Sequence, residues 1–214
     1  MKPGESNMEI LLRAACRRLV APDPPCCEPD SLAAETGIDP EVARALLPST
    51  EAVLKTVAES ALRRQMDHLI RRLGSVSGDN SAGQLVVLGK AFVEWAIENR
   101  DDFIILNSPM ISKVVDGKEL AHYHRSLQEL TVSMLERARD RGQLRAVTDL
   151  SLLSLMARAF TYGLARLCVD RQLTLWLPDQ PDLDERANLI AALEAFADLI
   201  LSGCQAGQPI RSDA

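Results

Sequence analysis

Between its prolines and glycines the chain repeats one pattern: apolar residues three and four positions apart, the spacing of an α-helix face. From the start, Met8, Leu11, Leu12, Ala15, Cys16 and Leu19 keep that spacing, while Arg13, Arg17 and Arg18 face elsewhere. Pro22, Pro24 and Pro25 end this helix by removing donors and fixing φ. Pro29 then suits a helix start, and Asp30 to Thr36 makes a short helix stopped by Gly37. Asp39 before Pro40 is a cap followed by a first-turn proline, opening a helix from Glu41 to Leu46. After Pro48, Ser49 caps a longer helix that reaches about Leu73.

Beyond a polar linker at 74–83 the helices lengthen. The pattern predicts helices over Leu85–Asn99, Asp101–Leu106, Lys118–Arg141, Leu150 to about Leu173, and Asp184–Leu201. There is no internal repeat and no alternating strand pattern. The expected architecture is all-α, about nine helices, with a three-helix unit at 1–52 and a C-terminal helical bundle at 53–214.

Composition narrows the function classes. In 214 residues, 47% are hydrophobic, which excludes a disordered chain, and only 4 Phe, 2 Trp and 2 Tyr argue against a β-sandwich or barrel. No aromatic residue precedes Phe92. With 30 acids against 24 bases the net charge is −6, so charge alone makes no argument for nucleic-acid binding. The first residues carry no apolar stretch of a signal peptide. The most apolar run, Leu150 to Val169, is interrupted by Arg158 and Arg166 and reads as a buried helix rather than a membrane span. Five cysteines at irregular spacing give no disulfide framework, and the reading is a cytoplasmic protein with reduced thiols.

Three short helices with Gly37 between the second and third form the pattern of a helix-turn-helix. Here the sequence resembles the tetracycline-repressor (TetR) family of bacterial regulators. Leu11 and Ala14-Ala15 resemble that family's first-helix Ile-Leu and Ala-Ala. Leu32, Ala33, Ala34, Gly37 and Ile38 resemble its core and turn, and Pro48-Ser49 with Glu51-Ala52 resembles the opening of its fourth helix. Farther on, Tyr162-Gly163-Leu164-Ala165 and Asp170-Arg171-Gln172-Leu173 look like the penultimate-helix pattern.

The resemblance implies a homodimeric regulator that binds operator DNA and responds to a small apolar or amphipathic effector. Carried onto this chain, it places Asp39, Val42, Arg44, Thr50 and Lys55 at the DNA. The recognition helix departs from the usual Gly-Thr-Leu-Tyr-x-His-Phe, reading Glu41 to Leu47 instead. Residues 1–50 hold Lys2, Arg13, Arg17, Arg18 and Arg44 against eight acids, a net −3. Glu41 falls in the first turn, where free N–H groups ordinarily welcome phosphate. The alternative is therefore a helical ligand- or partner-binding protein that has lost DNA binding.

An effector pocket is expected from Phe92, Trp95, Phe103, Tyr123, Met134, Phe160 and Tyr162, with the same side chains open to a plain core role. A two-fold interface is expected from Leu164, Leu167, Leu189, Leu193, Phe196 and Ile200 on the last two long helices. Arg158 and Arg166 either pair with acids or bind an anionic ligand. Cys26-Cys27 reads as packing thiols, and His122 and His124 sit too far apart around a helix to chelate together. No Ser-His-Asp order, phosphate-cradling loop or His-Glu-x-x-His motif is present, so no enzyme, metal or cofactor is expected.

Overall fold

The computed structural model describes residues 5–21, 26–115, 120–144, 149–176 and 184–205. Among the described residues there are eleven helices and no strand. They group into two compact units, residues 1–66 with 99–124, and residues 67–98 with 125–214.

The first unit opens with α1 (Asn7–Leu19), started by a capping box in which Ser6 and Glu9 satisfy each other's backbone N–H groups. Next come α2 (Pro29–Thr36) and α3 (Pro40–Leu46), both with Pro in the first turn. Gly37 ends α2 at φ +74°, a left-handed conformation that a Cβ disfavours even though the space around it is open. The expected Asp39 cap is present, with Oδ1 accepting from the N–H of Glu41 at 2.7 Å and of Val42 at 3.4 Å. Ser49 likewise accepts from the Ala52 N–H at 3.1 Å and starts α4 (Thr50–Leu73).

These elements close over a core of small and branched residues. Leu11, Ala14, Leu32, Ala43, Leu47, Val53 and Val57 are all buried in one cluster. Each large aliphatic side chain so buried contributes roughly 1.5–3 kcal/mol. Two further short helices, α6 (Arg100–Leu106) and α7 (Pro109–Val115), complete the unit, Ile105 and Ile111 joining the same cluster. The spacing predicted α6 but not α7.

In the second unit α5 (Ser81–Glu98) packs against α9 (Leu150–Val169) and α11 (Glu185–Gln205). Gly89 lets α5 approach α11 closely: a Cβ there would meet Leu193 Cδ1 at 3.2 Å. Val93, Leu164, Cys168, Leu173, Leu189 and Leu193 form the core between these helices. A second cluster joins Leu135 and Ala138 of α8 (Ala121–Asp140) to Leu144 and Leu153.

Two expectations need correction here. The helix expected to run to about Leu173 stops at Val169, because Arg171 turns left-handed at φ +56°. Arg171 and Gln172 then donate back to Cys168 and Leu167, and α10 (Leu173–Trp176) follows. Nor is α9 a buried helix. It buries Leu153, Leu164, Ala165, Cys168 and Val169 but exposes Leu152, Leu155 and Met156. Among the described residues it is the helix long and apolar enough, by length and composition, to cross a membrane.

Candidate functional site

Arginines cross-link the three helices of the helix-turn-helix at its surface. Arg18 on α1 donates to Glu35 Oε2 at 2.7 Å, to the Cys26 carbonyl at 2.7 Å, and to the hydroxyl and carbonyl of Ser31 at 2.8 and 2.9 Å. Arg17 reaches the other oxygen of Glu35 at 3.0 Å. This double contact, Arg17 first, holds the Glu35 carboxyl below the ordinary carboxylate range. Arg13 pairs with Glu5, and Arg44 on α3 pairs with Asp30 on α2, the last at 2.5 Å. Every described arginine of residues 5–50 therefore holds a carboxylate of the same unit.

The residues expected at DNA occupy distinct environments. Val42 is 39% exposed and Leu46 36%, so α3 presents an apolar edge beside exposed Glu41, Arg44 and Ala45. The Asp39 carboxylate is occupied as the α3 cap. Thr50 and Lys55 are half-buried at the start of α4.

Behind this head, within the same unit, Arg64 clamps Asp102 through Nε and Nη2, both at 2.7 Å. Cys16 lies near that pair, and burial first, then the Asp102 charge, pushes its thiol up to about 11. Burial likewise raises Cys27, so both thiols are inert at neutral pH.

The residues expected around an effector are divided between the two units. Phe103 and Tyr123 lie in the first unit, Phe103 fully buried and Tyr123 packed against the main cluster. Phe92, Trp95, Met134, Phe160 and Tyr162 lie in the second. There Phe92 and Trp95 are buried with ring centroids 6.2 Å apart, and Met134 is buried. His122 and His124 are both exposed. Among the described residues no group of three His, Cys, Asp or Glu side chains is placed to hold a metal.

The expected interface residues lie mostly in the chain's own core. Leu164, Leu189 and Leu193 are 9%, 1% and 5% exposed, Leu167 packs beside them, and Phe196 stacks on Phe160 at 3.8 Å. The Ile200 side chain lies outside the described residues. Among the described residues, the large apolar side chains that face outward on these helices are Leu152, Leu155 and Met156 of α9 and Leu199 of α11. Hydrophobic spacing alone could not separate the two faces, because α9 is apolar on both.

Two polar features stand out in the second unit, and the sequence pointed only to the second of them. Glu94 is 5% exposed in the middle of α5, an unusual burial for a carboxylate. Arg72 takes its Oε2 at 2.5 Å and Arg186 its Oε1 at 3.0 Å, while Arg186 also reaches Glu98. Nearby on α4, His68 Nε2 is buried without a hydrogen-bond partner, and desolvation lowers the imidazole pKa. The second feature is Arg158. Arg166 pairs with Asp170 at 2.6 Å, but Arg158 has no carboxylate among the described residues. Its guanidinium stacks 4.5 Å from the Phe92 centroid and lies 5.8 Å from that of Tyr162. Although the side chain is exposed in area, crowding around its head pulls its pKa below the usual arginine range.

Solved structures share this architecture. A protein of unknown function from Rhodococcus sp. RHA1 is similar over 96% of this chain and 100% of its own, with a TM-score of 0.72 at 19% identity. The ketosteroid transcriptional regulator KstR2 of Mycobacterium tuberculosis is similar over 93% of this chain and 95% of its own, with a TM-score of 0.65 at 15% identity. A bacterial regulatory protein in the TetR family from Rhodococcus RHA1 gives 95%, 100%, 0.65 and 14% for the same measures. No protein-family model matches the sequence, nor does any curated protein. The chain has the all-α fold of TetR-type transcriptional regulators.

Proposed function

We propose that the protein is a cytoplasmic, ligand-responsive transcriptional regulator that binds operator DNA as a homodimer. The observation that carries this reading is the helix-turn-helix unit, with Gly37 at its turn and α3 presenting Val42, Arg44 and Leu46 outward. Thr50 and Lys55 at the start of α4 are the further residues assigned to the DNA. The outward face of α9 and α11 supports a two-fold dimer, since exposed Leu152, Leu155, Met156 and Leu199 are what a second copy would cover. An effector in the second unit would shift the spacing of the two heads, which must match half-sites about 34–36 Å apart. That effector is small and apolar or amphipathic, in keeping with the aromatic side chains gathered there.

One observation favours the second reading, a ligand- or partner-binding protein without DNA. The head's arginines are already neutralised by Glu5, Glu35 and Asp30. Such a head releases few counterions from DNA and binds it weakly outside any specific site. The two readings separate by titrating the dimer onto the DNA upstream of its own coding sequence at about 50 and 200 mM salt. Saturable, sequence-dependent and salt-sensitive binding supports the regulator. No binding at the lower salt leaves the second reading.

A further inference from the structure

Arginines in this protein find carboxylates almost wherever helices meet. Arg64 holds Asp102, Arg72 and Arg186 hold Glu94, Arg141 approaches Asp79, and Arg166 holds Asp170. Arg158 departs from that habit. It sits in the middle of α9, on the side that meets α5, and its neighbours are two aromatic rings. Phe92 is 4% exposed and the Tyr162 side chain is half-buried, so one flank of the guanidinium rests on fixed apolar surface. An arginine stacked on a ring face keeps its in-plane N–H donors free to meet an acceptor. Five donors in a planar fork match the two oxygens of a carboxylate or phosphate. The Tyr162 phenol, one helical turn along α9, supplies a further polar group beside the same spot.

Three facts thus coincide within one unit: a cation with no counter-ion among the described residues, an aromatic seat that fixes its orientation, and apolar side chains around it. We infer that Arg158 is the anchor for the anionic head of an amphipathic ligand, with Phe92 and Tyr162 framing the head. The apolar body of the ligand lies along the side chains of the second unit. This rests on the reading that the second unit binds an effector, and it specifies that effector's chemistry: one carboxylate or phosphate on an apolar chain. A neutral ligand of the same shape would leave the guanidinium without an acceptor, a cost that sets the selectivity.

The test uses the full chain carrying Trp176→Phe, which leaves Trp95 as the single tryptophan, 6.2 Å from the Phe92 ring. Decanoate, decyl phosphate and decanol are titrated while Trp95 fluorescence is followed, with calorimetry on the unsubstituted chain as a second readout. The expected result is that at least one of the two anions binds about tenfold or more tighter than decanol. Which anion it is distinguishes a carboxylate from a phosphate ligand. Arg158→Met, which keeps an apolar stem over Phe92, removes the preference, and Arg158→Lys retains a charge and part of it. If all three probes bind equally, or Arg158→Met keeps the preference, Arg158 is not the anchor, although an effector site in the second unit stands. If none of the three binds the folded protein, the anchor and the apolar-effector reading both fall.

Discussion

The Arg44 guanidinium on α3 donates through Nη1 to Asp30 Oδ1 on α2 at 2.5 Å, so the single cation of α3 is bound to the helix before it. Both side chains are about half exposed, and a pair so placed contributes only about 0–1 kcal/mol. A phosphate can therefore replace Asp30 at small cost. Asp30→Asn is expected to free Arg44 and tighten upstream DNA about three- to tenfold at low salt, while Arg44→Ala weakens it and lowers the salt slope by about 1. Fluorescence anisotropy across a salt series reads both effects. Unchanged affinity in both variants removes Arg44 from the DNA contact set.

His68 makes stability depend on pH. Its ring is desolvated beside Glu98, Arg71, Glu94 and Arg72, and burial outweighs the two carboxylates. The folded pKa therefore lies below the ordinary value of 6.5, and the unfolded chain takes the proton first. Stability is full above that value and falls as pH drops from it toward the lower folded pKa. His68→Gln is expected to flatten this part of the melting profile. Glu9 and Glu35, both lowered, contribute their loss separately in the carboxylate range below pH 4.5.

Dimer formation should depend on the outward face of α9. Leu155 is 63% exposed and Met156 45%, so Leu155→Arg with Met156→Glu disturbs little within the chain. Surface changes of this kind alter folding stability by about 0.5 kcal/mol or less. Sedimentation velocity is expected to show the double variant as a monomer at concentrations where the unsubstituted protein is a dimer. Two species of equal size would place the interface elsewhere.

Gly37 offers a test of the turn. Nothing lies within 4 Å of a Cβ built there, so Gly37→Ala carries only the backbone cost of φ +74°, about 1 kcal/mol. Melting followed by circular dichroism is expected to fall by roughly 2–4 °C for a chain of this size. A larger fall would mean that the turn also positions α3.

The head was readable because its signals are local. Pro29, Gly37, Asp39-Pro40 and Pro48-Ser49 act on their own turns, and each helix boundary there falls within a residue or two of its expected place. Farther along, the stop after α9 was illegible because a non-glycine, Arg171, takes the left-handed position. The short α7 and α10 lack a long periodic run. The candidate sites depend on tertiary choices: packing against α5 decides which apolar face of α9 turns inward, and no spacing rule foretells that Phe160 stacks on Phe196. Arg158 was visible as a choice between an acid partner and an anion. Its seat on Phe92 emerges only when α5 and α9 are brought together.

On the proposed DNA-binding reading, Glu35, held between Arg17 and Arg18, has a consequence at the scale of a chromosome. A DNA-binding regulator moves among roughly 10⁶–10⁹ competing sites, and bare arginines, which cling to any phosphate, hold many of its copies there. A head that neutralises its own arginines lingers little on random sequence. It would slide poorly and search chiefly by free diffusion, and few copies would be lost to decoys. For a regulator of the proposed kind a small cellular pool would suffice, and occupancy of the right site would follow the effector rather than the bulk of the genome.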